Sequence, residues 1–221
     1  MKTILCYGDS NTFGWKPVSF DPKEIPIVLS RYRLPFGKRW TGVMAEELGK
    51  DYHVIEEGLG GRTTVWDDPI EGEHKNGKKY LLPCLESHAP IDLVVLMLGT
   101  NDLKVRFSVT AYDIAMGVAV LIGIIQGSAT GKDGGAPKIL VMSPPSLGEL
   151  TEFEEMLEGG IEKSEKLAQY YKTVSKQFSC EFFDVGGVIS CSPVDGVHFD
   201  AKQHFKLGKA VAEKVIKIIG Y

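Results

Sequence analysis

Five short apolar runs recur along the chain, and each is typical of a β-strand. They cover Thr3–Tyr7, Tyr52–Glu57, Asp92–Leu98, Lys138–Ser143 and Glu181–Asp184. The middle run is apolar at every position from Leu93 to Leu98. A strand that is apolar on both faces is typical of a parallel sheet that helices cover on two sides.

Helical patterns fill the stretches between these runs. The predicted helices begin near Thr41, Thr110, Ile161 and Asp200. Thr110 and Asp113 have the spacing of a capping box, and the apolar helix that follows them is expected to end near Gly127. Asp200 is expected to cap the last helix. One face of that helix carries Leu207, Val211, Val215 and Ile218.

The alternation of strands and helices predicts a three-layer α/β/α sandwich with a five-stranded, mostly parallel sheet. Nothing resembling a linker interrupts the 221 residues, so we expect a single domain over residues 1–221. In such folds the functional side chains follow the carboxyl ends of the strands.

One segment does not fit a regular element. The 24 residues between Trp15 and Trp40 contain four prolines, yet they are unusually apolar for a loop. Long loops of this kind tend to be lids or binding loops, and exposed apolar ones need a cover. We therefore hypothesise that the loop at 16–38 walls the functional site or packs against another subunit.

Composition narrows the class of protein. The formal net charge is −4 and the sequence pI about 5.8, with no basic block, which argues against a nucleic-acid partner. The longest apolar stretch, Ile114 to Ile125, has 12 residues, fewer than the roughly 20 that a membrane span needs. The N-terminus has no export signal, so we expect a soluble, cytoplasmic protein with no membrane partner.

The four cysteines are far apart and are interpreted as reduced structural thiols. Cys6, inside the first strand, is expected to fill the core. No cysteine pair and no neighbouring histidine stands out at ligand spacing, so neither a metal nor an organic cofactor is predicted.

Two motifs could supply a nucleophile and its base. Ser10 directly follows the first strand, and a serine hydroxyl needs a base to remove its proton. Asp195 and His198 lie three residues apart just before the last helix, where a carboxylate can orient an imidazole. Taken singly, each motif is more typical of an ordinary turn.

Two further loops could stabilise negative charge. Asn101 follows the most buried strand, where its amide can point into a cleft. The glycines of Gly58–Thr64 follow the second strand and let the backbone approach a ligand. That stretch matches neither phosphate-binding glycine pattern. Because all four motifs follow strands of one predicted sheet, together they indicate an acyl-transfer site.

The remaining histidines are poorer candidates for a base. His53, His74 and His88 lack a suitably spaced acid on a loop after a strand. His204 lies one turn into the last helix and is expected to be exposed. His198 therefore remains the candidate base.

In their order along the chain, these motifs resemble those of the SGNH (GDSL-type) hydrolase family. Most of the chain is similar to the subgroup of that family that contains the mycobacterial arylesterase/acyltransferase. The motifs that carry the resemblance are Gly8-Asp9-Ser10-Asn11, Gly60-Gly61, Gly99-Thr100-Asn101-Asp102 and Asp195-Gly196-Val197-His198. The family's fold is flavodoxin-like, in agreement with the sandwich predicted above. The family's activity is hydrolysis of esters by a serine.

The resemblance implies Ser10 as the nucleophile, with Asp195 and His198 completing a catalytic triad. It implies an oxyanion hole formed by the N–H groups of Ser10 and Gly61 and the side chain of Asn101. Two positions depart from the family pattern. Asn11 replaces the leucine of the family motif, and Gly60 replaces a frequent serine, which predicts a more mobile loop.

The expected substrate is a small ester, cleaved through an acyl-enzyme, with acyl transfer to alcohols or peroxide as a further expectation. Carbohydrate O-acetyl esterase and lysophospholipase or thioesterase activities are alternatives, and so is a catalytically inactive binder with the same fold. The subgroup and the apolar loop also suggest a homo-oligomer.

Overall fold

The computed structural model describes residues 1–17 and 32–220. Its five strands are β1 (Lys2–Gly8), β2 (Tyr52–Gly58), β3 (Leu93–Met97), β4 (Lys138–Ser143) and β5 (Glu181–Asp184). They form one sheet in the order β2-β1-β3-β4-β5, and every pairing is parallel. The predicted fold class and all five predicted strands are confirmed.

Within the residues that the structure describes, six α-helices connect or follow the strands. They are α1 (Ser10–Phe13), α2 (Trp40–Leu48), α3 (Gly77–Ser87), α4 (Ala111–Gly127), α5 (Gly160–Gln177) and α6 (Ala201–Ile219). Short 3₁₀ turns lie at Phe36–Lys38, Glu73–Lys75, Asn101–Leu103, Val105–Phe107, Lys132–Gly134 and Val185–Gly187. The capping box at Thr110 and the cap at Asp200 are both present.

The core has two halves, one on each face of the sheet. On one face, α3, α4 and α5 pack over side chains such as Leu5, Val94 and Val141. On the other, α2 and α6 pack over Ile4, Cys6 and Val95, among others, so Cys6 fills the core as predicted. All five residues of β3 are buried, as its continuous apolar run predicts.

Two features of the helices differ from the sequence analysis. Helix α3 was not predicted, because Pro83 in its interior obscures the helical pattern of Leu81, Cys84 and Leu85. His204 was expected at the surface but is fully buried. Its Nδ1 accepts a hydrogen bond from the backbone N–H of Trp40 at 3.2 Å, in the contact between α6 and α2.

The strand order places two of the candidate loops side by side. Strands β1 and β3 are neighbours in the sheet, but the chain leaves them toward opposite sides, since β1 leads to β2 and β3 leads to β4. Such a switch point opens a crevice at the carboxyl ends of the strands. Ser10 follows β1 and Asn101 follows β3, so both lie at this crevice. No helix within residues 1–17 and 32–220 is long and apolar enough to cross a membrane.

Candidate active site

Ser10, His198 and Asp195 form a continuous hydrogen-bonded chain. The Oγ atom of Ser10 lies 3.0 Å from Nε2 of His198. On the other side of the ring, Nδ1 of His198 lies 2.7 Å from Oδ2 of Asp195. All three residues are buried. The order of hydroxyl, imidazole and carboxylate is the one that a serine nucleophile requires.

The environment of Asp195 keeps its carboxylate ionised. Burial raises the pKa of Asp195, but hydrogen bonds from the ring and backbone N–H of His198 and from the N–H of Val197 outweigh it, so the pKa lies below its usual value. An ionised carboxylate accepts a hydrogen bond from the N–H at Nδ1, so the ring proton stays on Nδ1. Nε2 is then left with its lone pair directed at Ser10, which is the tautomer of a general base.

The turn after β1 fixes the position of Ser10. Asp9 caps α1 by accepting the N–H of Asn11 at 2.9 Å, and burial raises the pKa of Asp9 to about 6. The side-chain amide of Asn11 donates to the carbonyl oxygen of Val197 at 3.2 Å. Asn11, one of the two departures from the family pattern, therefore links the serine turn to the loop that carries His198.

The three residues predicted to supply oxyanion donors, Ser10, Gly61 and Asn101, line one cavity. Within the described part of the chain, the N–H groups of Ser10 and Gly61 have no acceptor. Gly61 adopts a φ of +79°, which a glycine tolerates best. The Asn101 side chain gives one amide hydrogen to the carbonyl oxygen of Arg62 at 3.2 Å, which leaves its second hydrogen for a ligand.

The loop that carries Gly61 is held from several sides. The Arg62 guanidinium donates to the carbonyl oxygens of Gly8, at 2.9 Å, and of Glu57, and lies 4.1 Å from the centre of the Tyr7 ring. Nζ of Lys75 donates to the carbonyl oxygen of Gly60 at 2.7 Å. These contacts restrain the loop that contains Gly60 and Gly61, whereas the glycine at position 60 predicts a more mobile loop.

Asp102 connects this loop to the turn after β3. Its buried carboxylate accepts the N–H of Thr64 at 3.0 Å and the Thr64 hydroxyl, while burial raises its pKa to about 6. An aspartate in a turn after a strand is a frequent helix cap. The structure uses Asp102 between two loops instead.

The three candidate oxyanion donors and the Ser10–His198 pair open onto a cavity of about 440 Å³. Its other lining residues include the aromatic side chains Phe13, Trp15, Tyr32 and Phe153. The ring centres of Trp15 and Phe153 lie 6.2 and 6.0 Å from that of His198. Of the other two tryptophans, Trp40 lies in the core and Trp66 packs against it.

The structure describes only the two ends of the loop at 16–38, which was predicted to wall the functional site. Trp15 and Tyr32 stack with ring centres 5.5 Å apart, and both line the cavity. Residues 18–31 lie outside the described part of the chain, so the role of the loop between them stays a prediction.

Three charged residues on the cavity wall were not predicted: Glu71, Lys75 and Lys104. They lie on irregular chain or short 3₁₀ turns, where no apolar period indicates which way a side chain points. The turn residues Asp67-Asp68-Pro69 were the available signal, because they indicate a sharp change of direction after the glycine-rich loop.

A cysteine–histidine pair at the C-terminal end of helix α3 was not predicted from the sequence. Cys84 and His88 lie one helical turn apart, and their ligand atoms and one from Glu57 are all within 4.8 Å of one another. Burial raises the pKa of Cys84 to about 12, which keeps the thiol protonated, and His88 is hydrogen-bonded to Glu57 at 3.0 Å. The group does not line the cavity, so we assign it no part in acyl transfer.

The chain is similar to esterases of known structure. The structure of an aryl esterase from M. smegmatis superimposes with a TM-score of 0.91, at 45% identity over 99% of this chain and 100% of that one. A carbohydrate acetylesterase from Sinorhizobium meliloti gives a TM-score of 0.91 at 44% identity, over the same shares of the two chains. No curated protein sequence matches the chain.

Residues 6–205 match the family model of the GDSL-like lipases and acylhydrolases. That match covers most of the chain, and the two relatives extend it over nearly the whole length. This chain therefore belongs to the GDSL-like lipase/acylhydrolase family, and it is an esterase.

Proposed function

We propose that Ser10 is the nucleophile of this esterase, His198 its general base and Asp195 the residue that orients the base. The observation that carries this proposal is the hydrogen-bonded chain from Ser10 through His198 to Asp195 at the wall of the cavity.

The reaction proceeds in two halves. Nε2 of His198 takes the hydroxyl proton as Ser10 Oγ bonds to the ester carbonyl carbon, and the N–H groups of Ser10 and Gly61 and the Asn101 amide stabilise the oxyanion. The carbon–oxygen bond to the alcohol then breaks, and the alcohol leaves with the proton from His198. Water gives a proton to His198 and attacks the acyl-enzyme, and Ser10 recovers its proton as the acid leaves.

The proposed substrates are esters of small acyl groups such as acetyl, with alcohols or hydrogen peroxide able to replace water in the second half. The two relatives support this range, since one is described as an aryl esterase and the other as a carbohydrate acetylesterase. The aromatic side chains that line the cavity suit an aryl group. The charged side chains of Glu71, Lys75 and Lys104 favour carbohydrate acetates as a second candidate class of substrate.

The decisive experiment is covalent labelling with a fluorophosphonate, followed by mass spectrometry of the modified peptide. We expect a single adduct on Ser10, and no adduct and no esterase activity in Ser10→Ala. Hydrolysis of p-nitrophenyl acetate, butyrate and octanoate would then rank the acyl groups, with acetate fastest. An adduct elsewhere, or full activity in Ser10→Ala, would contradict the assignment.

We also propose that the protein is cytoplasmic and that it forms a homo-oligomer with no nucleic-acid or membrane partner. Four unpaired cysteines support a reducing compartment. Light scattering on the purified protein tests the assembly state.

A further inference from the structure

The two carboxylate oxygens of Glu71 have different surroundings. Oε1 accepts hydrogen bonds from Nζ of Lys104 and from Nη2 of Arg106, the latter at 3.3 Å. Oε2 has no donor among the described residues. A β-carbon added to Gly61 would collide with this same oxygen, so Oε2 lies directly beside the loop that carries a candidate oxyanion donor.

Neighbouring charges hold Glu71 in place. Lys104 is almost fully buried and also lies 3.5 Å from Asp68, whose other oxygen is 3.4 Å from Arg106. Asp68 in turn accepts the N–H groups of Ile70 and Glu71, each at 2.9 Å. The free oxygen of Glu71 is therefore a fixed acceptor on the cavity wall, and 33% of the side chain is exposed.

The chemistry of that oxygen limits what can bind to it. A carboxylate oxygen only accepts hydrogen bonds, so its ligand must donate one. An apolar group placed there would remove water from the oxygen without replacing its hydrogen bond, at a cost to binding. A hydroxyl is the fitting partner, because it can donate to Oε2 and also accept from the ammonium groups of Lys75 or Lys104 on the same wall.

We propose that Glu71 Oε2 accepts a hydrogen bond from a free hydroxyl in the alcohol part of the ester, so that the enzyme prefers acetylated polyols to acetates of simple alcohols. The hydroxyl must come from the alcohol part, because an acetyl group carries none. This inference rests on the proposed function and identifies Glu71 as a specificity residue within the same cavity.

The test compares 2,3-dihydroxypropyl acetate with propyl acetate, which has the same carbon skeleton and no hydroxyl. We expect the wild-type enzyme to have a kcat/KM about tenfold higher for the dihydroxy ester, the effect of one good hydrogen bond to a charged group. In Glu71→Gln the amide oxygen has to face Lys104 and Arg106, so a donating N–H₂ replaces the accepting oxygen. The preference is expected to fall at least fivefold.

A matched control is available two residues along the chain. Glu73 is 77% exposed and bonds to Lys79 outside the cavity. Glu73→Gln should therefore leave the kcat/KM of both esters unchanged. Glu71→Asp keeps the negative charge that Lys104 and Arg106 require but withdraws the oxygen by one methylene, so it should also lower the preference while preserving the fold.

The outcomes separate this inference from the proposed function. An equal preference in the wild type, Glu71→Gln and Glu71→Asp would overturn the role of Glu71 while Ser10 labelling and hydrolysis of p-nitrophenyl acetate still supported the function. A wild-type enzyme without preference for the hydroxylated ester would overturn it as well. If the wild type hydrolysed no ester and Ser10 were not labelled, both proposals would fail.

Discussion

At the scale of single residues, the candidate site combines a few side chains whose other hydrogen bonds are already satisfied. Asp195 uses one oxygen for two backbone N–H groups and the other for the His198 ring. Asn101 uses one amide hydrogen to hold the Arg62 carbonyl. Each functional atom is thereby fixed before a substrate arrives, which is what electrostatic stabilisation of a transition state requires.

Asn101 allows the first prediction at this scale. Asn101→Ala removes one of three proposed oxyanion donors, and such a loss raises the barrier by on the order of 3 kcal/mol. We expect kcat to fall by about a hundredfold at a similar KM, because the missing bond forms in the transition state. Steady-state kinetics with p-nitrophenyl acetate measures this, alongside a circular dichroism spectrum to verify the fold. Unchanged turnover would reduce Asn101 to a turn residue.

At the scale of elements, the loop between β5 and α6 sets the position of His198, the proposed base. Gly196, between Asp195 and His198, adopts a φ of +72°, and a β-carbon there would collide with the carbonyl of Glu149. The Gly148 N–H donates to the Gly196 carbonyl at 2.8 Å. The loop between β5 and α6 is therefore held against Gly148 and Glu149 at Gly196, a position with no room for a side chain.

Gly196→Ala is expected to strain this loop. The substitution should lower the free energy of unfolding by about 1–3 kcal/mol, the usual cost of a disfavoured backbone region. It should also lower kcat at least tenfold, since a shift of about 1 Å in a catalytic group is costly. Chemical denaturation and kinetics on the same preparation measure both effects.

Gly187→Ala is the matched control for this substitution. Gly187 lies near the start of the same loop, has open space around its α-carbon and does not require a left-handed backbone. Its alanine variant should match the wild type in stability and activity. If both variants behaved alike, the backbone at Gly196 would have no special role.

The elements also show where sequence patterns succeed and fail. The strands were predictable because each is a compact apolar run, and β3 is buried on both faces. Helix α3 was hidden by Pro83, and His204 was assigned to the surface because its imidazole was counted as polar, although it extends the buried face of Leu207 and Val211. The turn at Asp67-Asp68-Pro69 indicates a change of chain direction, but it does not give the orientation of Glu71, which depends on Lys104 and Arg106 after a different strand.

At the scale of the whole molecule, strand order determines which motifs meet. The sequence predicts that Ser10, Asn101 and the Gly58–Thr64 loop all follow strands of one sheet. It does not predict that β1 lies between β2 and β3, and this order brings the three loops together. The loop that carries His198 completes the site, although His198 lies 188 positions after Ser10 in the sequence. The motifs therefore indicated the chemistry, while their meeting depended on packing that no local pattern records.

A second histidine is buried where α2 and α6 pack together on one face of the sheet. Unlike His198, His204 has no hydrogen bond to a carboxylate within the described part of the chain. His204 is fully buried between α6 and α2, and its Nε2 has no hydrogen-bond partner within the described part of the chain. Burial lowers its pKa from 6.5 to about 3, with Arg39 adding to the effect and Asp200 opposing it. His204 is therefore neutral in the folded protein at pH values where the unfolded chain binds a proton.

This difference makes stability depend on pH. Between about pH 6.5 and 3 the unfolded state binds one more proton at His204, so the free energy of unfolding should fall by about 1.4 kcal/mol for each unit that the pH is lowered. Asp9 and Asp102, with pKa values raised to about 6, contribute a dependence of opposite sign between their unfolded-state pKa values and about pH 6.

The substitution His204→Asn isolates the histidine. Both carboxylates remain in this variant, and the Asn Oδ1 can still accept the Trp40 N–H, so the contribution of the carboxylates cancels when the two proteins are compared. Urea denaturation of both from pH 7 to pH 4 should show the wild type losing about 3 kcal/mol more than the variant. Parallel stability curves would mean that His204 accepts a proton in the folded state as readily as in the unfolded chain.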